Sequence, residues 1–208
     1  MVINIISVNE NEGQKRQMDL IRHLEGSGLE IKFYIGKRTV NGYDSAFKSI
    51  KMLIQANFNK GHILFGEDDL ILAKTFSMER LKHYIKLGYE KEYDIIATGS
   101  WEGYGYELNN PDLLDVLRFR GTQFLVIYKK VYKRILEAEE CNYFDDFLSF
   151  VQPRLKVGLT YPFLSKQRTD IPSMLVAGGS NFNHLFDIEE NRIKELIKNQ
   201  IEKYLINN

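Results

Sequence analysis

A single cysteine, Cys141, is all that 208 residues carry. No disulfide can form within the chain, which suits a reducing compartment, and Cys141 itself reads as a small core or surface residue. Neither sign of charge is in excess: 28 Lys and Arg stand against 28 Asp and Glu. Composition therefore carries no global signal for nucleic acid or a membrane surface, and only a local basic face stays open. No apolar run approaches the roughly 20 residues of a membrane span. The first residues run straight into Val-Ile-Asn-Ile-Ile with no basic region and no cleavage site, so no signal peptide is expected and the expected location is cytoplasmic. The four histidines, His23, His62, His83 and His184, have no metal-ligand spacing. Internal repeats and low-complexity tracts are lacking too.

What is there is an ordinary globular composition, 44% apolar and 27% charged, long enough for one domain with a substantial core. Val2 to Val8 is β-branched and almost wholly apolar, the pattern of a covered central strand. A helix is predicted from about Gln14 to Glu25, with Met18, Ile21 and Leu24 as its apolar face and Gly26 as its stop. A strand follows over Ile31 to Ile35, and then a helix over residues 44 to 58. Ile63 to Phe65 reads as a short buried strand, Met78 to Leu87 as a helix stopped at Gly88, and Tyr93 to Thr98 as a strand. Further on come a strand from Gly121 to Lys129, a helix from Lys130 to Glu139, a strand from Leu155 to Tyr161 and a last helix from about Asp187 to Leu205. Strands alternating with helices of crossover length predict an α/β fold, a mostly parallel central sheet covered by helices on both faces.

The residues with chemistry gather where these predicted strands end. Glu67, Asp68 and Asp69 follow the third strand directly, and buried carboxylates must be paired, solvated or bound to a cation. Glu67 and Asp69 project to the same side of an extended backbone, which suits a hard cation, Mg²⁺ or Mn²⁺, that completes its shell with water and phosphate oxygens. The same triplet also reads as a solvated acidic turn. Lys15 and Arg16 lie in the first turn of the first helix, beside the crevice where open α/β sheets bind ligands. Their alternative is an ordinary surface position. Lys37 and Arg38 sit on a glycine-flanked loop. Between Gly99 and Glu107 lie the only tryptophan, Trp101, with Tyr104, Tyr106 and three glycines. This reads as a loop that stacks a flat ring, or one whose aromatics fold onto the core. Asp145 and Asp146 open a predicted helix, as caps or as functional acids. Lys166, Gln167, Arg168 and Asp170 occupy a polar loop from Pro162 to Pro172.

In this order the features resemble the nucleotide-sugar-dependent glycosyltransferases of the GT-A fold, and look most like the family that includes lipopolysaccharide galactosyltransferases (family 25). The matching residues are the opening strand with its Arg-bearing helix and Glu67-Asp68-Asp69 at the place of that family's acidic metal motif. The Gly121-to-Tyr128 strand, Asp145-Asp146 and the Gln167-to-Ile171 segment match as well. The resemblance spans roughly residues 2 to 172, and departs in having only Lys15 and Arg16 where a short Arg-rich run is usual. It implies one Rossmann-like domain over 1–208, with a nucleotide-sugar half (1–98), an acceptor half (99–186) and a C-terminal packing helix (187–206). It implies that Asp69, with Glu67, holds Mn or Mg, and that Glu67 or Asp68 holds the ribose or a metal-bound water. Lys15, Arg16, Lys37 or Arg38 would contact the diphosphate of a donor such as a UDP-sugar. Asp145 or Asp146 would be the base. Trp101, Tyr104, Tyr106, Gln167, Arg168 and Asp170 would shape the sugar or acceptor site.

Two acceptor classes fit this reading: a surface glycan, or a hydroxymethylated pyrimidine in phage DNA, which places the protein in a bacterium or a phage-infected host. A DNA acceptor requires a basic face, and Lys129, Lys130, Lys133, Arg134, Arg154, Lys156, Lys166 and Arg168 are numerous enough to build one. From a different class, the chain reads as a non-catalytic α/β module that binds nucleotide or nucleic acid. A two-metal phosphatase or nuclease needs more clustered acids and histidines than the sequence brings together.

Overall fold

The computed structural model describes residues 1–8, 11–36, 42–108, 113–139, 143–151, 153–168 and 183–206. In chain order the elements are β1 (Val2–Val8), α1 (Asn11–Leu24), β2 (Glu30–Gly36), α2 (Gly42–Ala56), β3 (His62–Glu67), β4 (Leu70–Leu72), α3 (Met78–Glu90) and β5 (Ile95–Ala97). Then follow β6 (Glu102–Tyr104), β7 (Leu113–Val116), β8 (Arg118–Arg120), β9 (Phe124–Tyr128), a 3-10 turn at Lys129–Val131, α4 (Tyr132–Glu137), α5 (Phe144–Phe150), β10 (Val157–Thr160), β11 (Ser165–Gln167) and α6 (Asn183–Ile206). The main sheet has seven strands in the order β2-β1-β3-β9-β5-β10-β7. Five of the seven point one way; β9 and β7 are the two that oppose their neighbours. This is the mostly parallel, helix-flanked sheet that the apolar runs predict.

Alternation along the strands sends successive side chains to opposite faces, and each face has its own core. Ile63 and Phe65 of β3, with Leu125 and Ile127 of β9, pack against Phe47, Ile50, Leu53 and Ile54 of α2, Ile135 of α4 and Phe186 and Ile193 of α6. Leu64 and Val126 face the other way, onto Leu20 and Leu24 of α1 and Leu81, Tyr84 and Ile85 of α3. A sheet covered on both faces explains why its strands read as unbroken apolar runs.

Several expectations are corrected. The buried face of α1 is Arg16, Leu20 and Leu24, while Met18 and Ile21 are exposed. Arg16 is therefore no surface charge. Helix α3, capped by the Ser77 hydroxyl accepting from the Arg80 N–H at 3.2 Å, does not stop at Gly88 but runs on to Glu90. Gly88 is there for close approach, since a Cβ would lie 1.8 Å from the Tyr128 hydroxyl of β9. The 99–107 segment is not all loop: β6 pairs antiparallel with β8. The polar stretch after Pro162 contains β11, which pairs antiparallel with β4. Along α6, Phe186 and Ile193 are buried and Ile197 packs against them, but Leu196 and Ile201, expected on the same face, are exposed. Among the described residues no helix is long and apolar enough to cross a membrane.

Candidate functional site

The carboxyl ends of β1 and β3 lie side by side, with Ile6 in register with Glu67. The antiparallel strand β9 begins beside them, Phe124 opposite Gly66, so Thr122 and Gln123 arrive at the same edge. The acidic triplet sits at this junction, and each acid is held from a different part of the chain.

Asp68 is neutralised within the protein. It accepts from the Ser7 hydroxyl at 2.6 Å and from Arg16 Nη1 at 3.2 Å. Gln17 steadies the arrangement, donating to Ser7 Oγ at 3.0 Å and to the Val8 carbonyl at 3.2 Å. Burial pushes the Asp68 carboxyl up, and Ser7 and Arg16 oppose it.

Glu67 and Asp69 are held without a direct cationic partner among the described contacts. Glu67 keeps some solvent contact at its edge yet is densely surrounded by protein, and accepts from the Thr122 hydroxyl. Burial, followed by repulsion from Asp69, raises its pKa to about 8, with Asp145 and Asp68 adding to the effect. Asp69 is buried. Its Oδ2 accepts from Gln167 Nε2 at 2.5 Å and its backbone carbonyl from the Arg168 N–H at 2.8 Å. Both donors come from the β11 end, because the β4–β11 register sets Leu70 opposite Gln167. Burial, then repulsion from Asp68, lifts the Asp69 carboxyl to about 6, and its Oδ1 is buried with no hydrogen-bond partner.

Asp145 and Asp146 occupy the first turn of α5. Neither is the cap, which is Tyr143; Asp145 Oδ1 accepts the Asp146 N–H at 2.9 Å from inside the turn. Asp145 also accepts from Arg120 Nη1 and from the Gly121 N–H, both at 3.3 Å. Gly121 delivers that N–H from φ +108, a conformation that favours glycine. Asp146 pairs with Arg118 at 3.3 Å and with Arg120 at 3.0 Å. Burial raises the Asp145 carboxyl, and Arg120 pulls it back.

The remaining predicted residues divide. Gln167 and Arg168 join the acidic end: besides its bond to Asp69, Arg168 places Nη1 3.5 Å from Asp19 on α1. Lys15 is exposed on α1 beside the buried Arg16. Of the aromatics, Trp101 packs against the core and Tyr106 donates its hydroxyl to Glu189 of α6, leaving Tyr104 with its ring in solvent. Lys37, Arg38 and Asp170 lie outside the described residues. Ser7, Gln17, Thr122, Arg118 and Arg120 are site residues that the sequence reading passes over. The signal for Thr122 was its place at the mouth of the β9 apolar run. For the arginines it was the Arg-Phe-Arg alternation around Phe119, which is buried.

Among the described residues no three His, Cys, Asp or Glu side chains converge as a closed metal cage. Glu67 and Asp69 nonetheless fit a divalent cation: two repelling carboxylates, one with an orphaned buried oxygen, are an incomplete ligand set of the kind that substrate phosphate completes.

No protein-family model matches the chain, and no curated protein matches its sequence. Solved structures do. A197 from STIV overlays with a TM-score of 0.56 at 12% identity, covering 80% of this chain and 84% of that one. An apo UDP-glucose pyrophosphorylase overlays at 0.51 and 9% identity, covering 92% of this chain and 81% of that one. At these identities the likeness is one of fold, a Rossmann-like α/β sheet of the GT-A kind.

Proposed function

We propose that the protein is a divalent-cation-dependent glycosyltransferase that moves a sugar from a nucleotide-sugar to a hydroxyl acceptor. The observation that carries this reading is the pair Glu67 and Asp69. They are crowded together at the carboxyl edge of a GT-A-type sheet, Asp69 keeps an orphaned Oδ1, and among the described residues their side-chain hydrogen-bond donors are neutral. Open α/β sheets bind nucleotides at such an edge. Residues 1–98 would form the donor half and 99–186 the acceptor half.

Glu67 and Asp69 would hold Mn²⁺ or Mg²⁺ together with the donor diphosphate, and the ion would act as a Lewis acid on the departing phosphate oxygen. Thr122 and Gln167 keep the two carboxylates aimed. Arg16 acts through Asp68, locking α1 against the strand end, and leaves the exposed Lys15, with Lys37 or Arg38, to contact phosphate. In the transfer the acceptor oxygen bonds to the anomeric carbon as the bond from that carbon to the phosphate oxygen breaks. The nucleoside diphosphate leaves with the electron pair, and the acceptor proton passes to a carboxylate. Asp145 is the better candidate than Asp146: it is the more buried, and it is the one that acts electrostatically on Glu67.

The test is a thermal-shift panel of nucleoside diphosphates and UDP- and GDP-sugars with and without Mn²⁺. A ligand at a hundred times its dissociation constant adds about 2.7 kcal/mol. A metal-dependent shift with one nucleotide-sugar is expected. No shift with any nucleotide, from a cooperatively melting protein, would overturn the reading in favour of a non-catalytic module. A second reading, a sugar nucleotidyltransferase, is favoured by the overlay of UDP-glucose pyrophosphorylase on 92% of the chain. It predicts pyrophosphate release from nucleoside triphosphate and sugar 1-phosphate.

A further inference from the structure

Next to Asp145 and Asp146 the surface carries exposed aromatic rings that no core absorbs. Tyr104 of β6 is 49% exposed, Tyr143 before α5 46%, and Phe150 at the end of α5 56%. They share one surface because β8 ties them together. The Arg118 guanidinium lies 5.9 Å from the Tyr104 ring centre and 4.9 Å from that of Phe150, and Arg120 lies 5.7 Å from that of Tyr143. Both arginines are pinned in turn by carboxylates: Arg118 by Asp146, and Arg120 by Asp145, Asp146 and, at 4.0 Å, Glu102. The Tyr104 hydroxyl is tethered to Glu102. Each ring therefore stands against a protein cation while its residue stays about half exposed. Rings fixed in advance lose little entropy on binding.

The charge of the patch decides what it can take. Arg118 and Arg120 meet three carboxylates, Glu102, Asp145 and Asp146. Arg192, which also acts on Tyr104, pairs with Glu189, and Arg154 is bonded to the Leu117 carbonyl. Four cations thus stand with four carboxylates, and the patch carries no cationic excess. A nucleic-acid strand is held by unneutralised Lys and Arg on its phosphates, and these arginines are already committed. An uncharged sugar ring has no such requirement: its C–H face packs on an aromatic face, and its hydroxyls find hydrogen-bonding acceptors in Glu102 and Asp146. We infer that Tyr104, Tyr143 and Phe150, braced by Arg118 and Arg120, form the acceptor platform and take an uncharged sugar unit of a glycan. The inference rests on the glycosyltransferase reading, and it assigns Tyr143 and Phe150 while removing Trp101 and Tyr106 from the contact surface.

The experiment is saturation-transfer NMR on the intact protein with a panel of methyl glucopyranoside, galactopyranoside and mannopyranoside. A single-stranded thymidine 12-mer is followed in parallel by fluorescence anisotropy. The expected result is saturation of one ring face of at least one methyl glycoside. That signal drops at least tenfold in the Tyr104→Ala/Phe150→Ala variant and in Tyr143→Ala, and is kept in Ile201→Ser on the far part of α6. Because all three rings are exposed, these variants are expected to fold, which their melting curves check. The proposal is overturned if no glycoside is saturated, if the signal survives both platform variants, or if the 12-mer binds and loses binding in them. None of these readouts uses a nucleoside diphosphate or a nucleotide-sugar. A failed nucleotide panel beside a positive glycoside result would sink the transferase reading alone, and the reverse pattern would sink the platform alone.

Discussion

Two groups of carboxylates, one at the end of β3 and one at the start of α5, are treated in opposite ways. Asp145 and Asp146 receive two guanidinium groups from β8. Glu67 and Asp69 receive a hydroxyl and an amide. Both kinds of donor fix a side chain in place, but only the first cancels its charge. Within the triplet itself a graded contrast recurs: Asp68 pairs directly with Arg16, and Asp69 feels that cation only at a distance. The lesson is that neutral donors position a carboxyl group without cancelling the repulsion from its neighbours, which is why burial and the neighbouring acids raise Glu67 and Asp69.

The largest expected effect is on the pair that should not be separable. Arg16 and Asp68 have side chains 3% and 11% exposed, so Arg16→Met leaves an uncompensated buried charge. It should cost about 3–5 kcal/mol in urea unfolding. A cost under about 1 kcal/mol, the level of a surface pair, would mean that Asp68 is not held as a charge. Next comes Asp69→Asn, expected to abolish the Mn²⁺-dependent thermal shift and to slow transfer by about 10²–10³, the usual loss of an electrostatic stabiliser. Asp146→Asn, on the neutralised side, should keep that shift, and its loss there would erase the distinction between the two groups.

A smaller effect is in pH dependence. Folded Glu67 keeps its proton up to about pH 8, against an ordinary 4.5. Between those values the folded state binds more protons than the unfolded one. Without divalent cation, stability should therefore fall as pH rises through this window and level off above it. Urea midpoints at about pH 5, 6.5 and 8 should decline in the wild type relative to Glu67→Gln; parallel profiles would show that Glu67 is ionised throughout. The smallest effect is expected for Arg118→Gln, whose pair with Asp146 is about a third exposed, at under about 1 kcal/mol.

The sheet was legible where apolar runs are long and both faces are covered. β1 coincides with the predicted Val2-to-Val8 run, and β2, β3, β5, β9 and β10 fall within or around theirs. What stayed hidden was short: β7, Leu-Leu-Asp-Val at the edge of the main sheet, and strands that are polar as well. β8 is only Arg-Phe-Arg, and β11 is Ser-Lys-Gln; each is a strand because a partner in space completes its hydrogen bonds, which no local preference encodes. The same holds for the site. Three acids at a strand end could be read directly, but the fate of Arg16 could not. Its spacing with Leu20 and Leu24 marks one helical stripe, and Met18, Ile21 and Leu24 mark another; only packing against β1 and β3 chose between them. The aromatic loop was read as a unit, whereas α6 takes up Tyr106, the core takes Trp101, and Tyr104 alone stays outside.

That the acids are held from distant parts of the chain also sets when the site can exist. Ser7 reaches Asp68 across 61 residues, Thr122 reaches Glu67 across 55, and Gln167 reaches Asp69 across 98. As the chain is made, the acids emerge early and the groups that aim them arrive in stages, the last being β11. Synthesis proceeds at roughly 5–20 residues per second, so for several seconds a nascent chain carries the triplet without the strand that shapes it. The acidic end is complete only once β11 is made, and a chain cut short before Gln167 lacks the amide that holds Asp69.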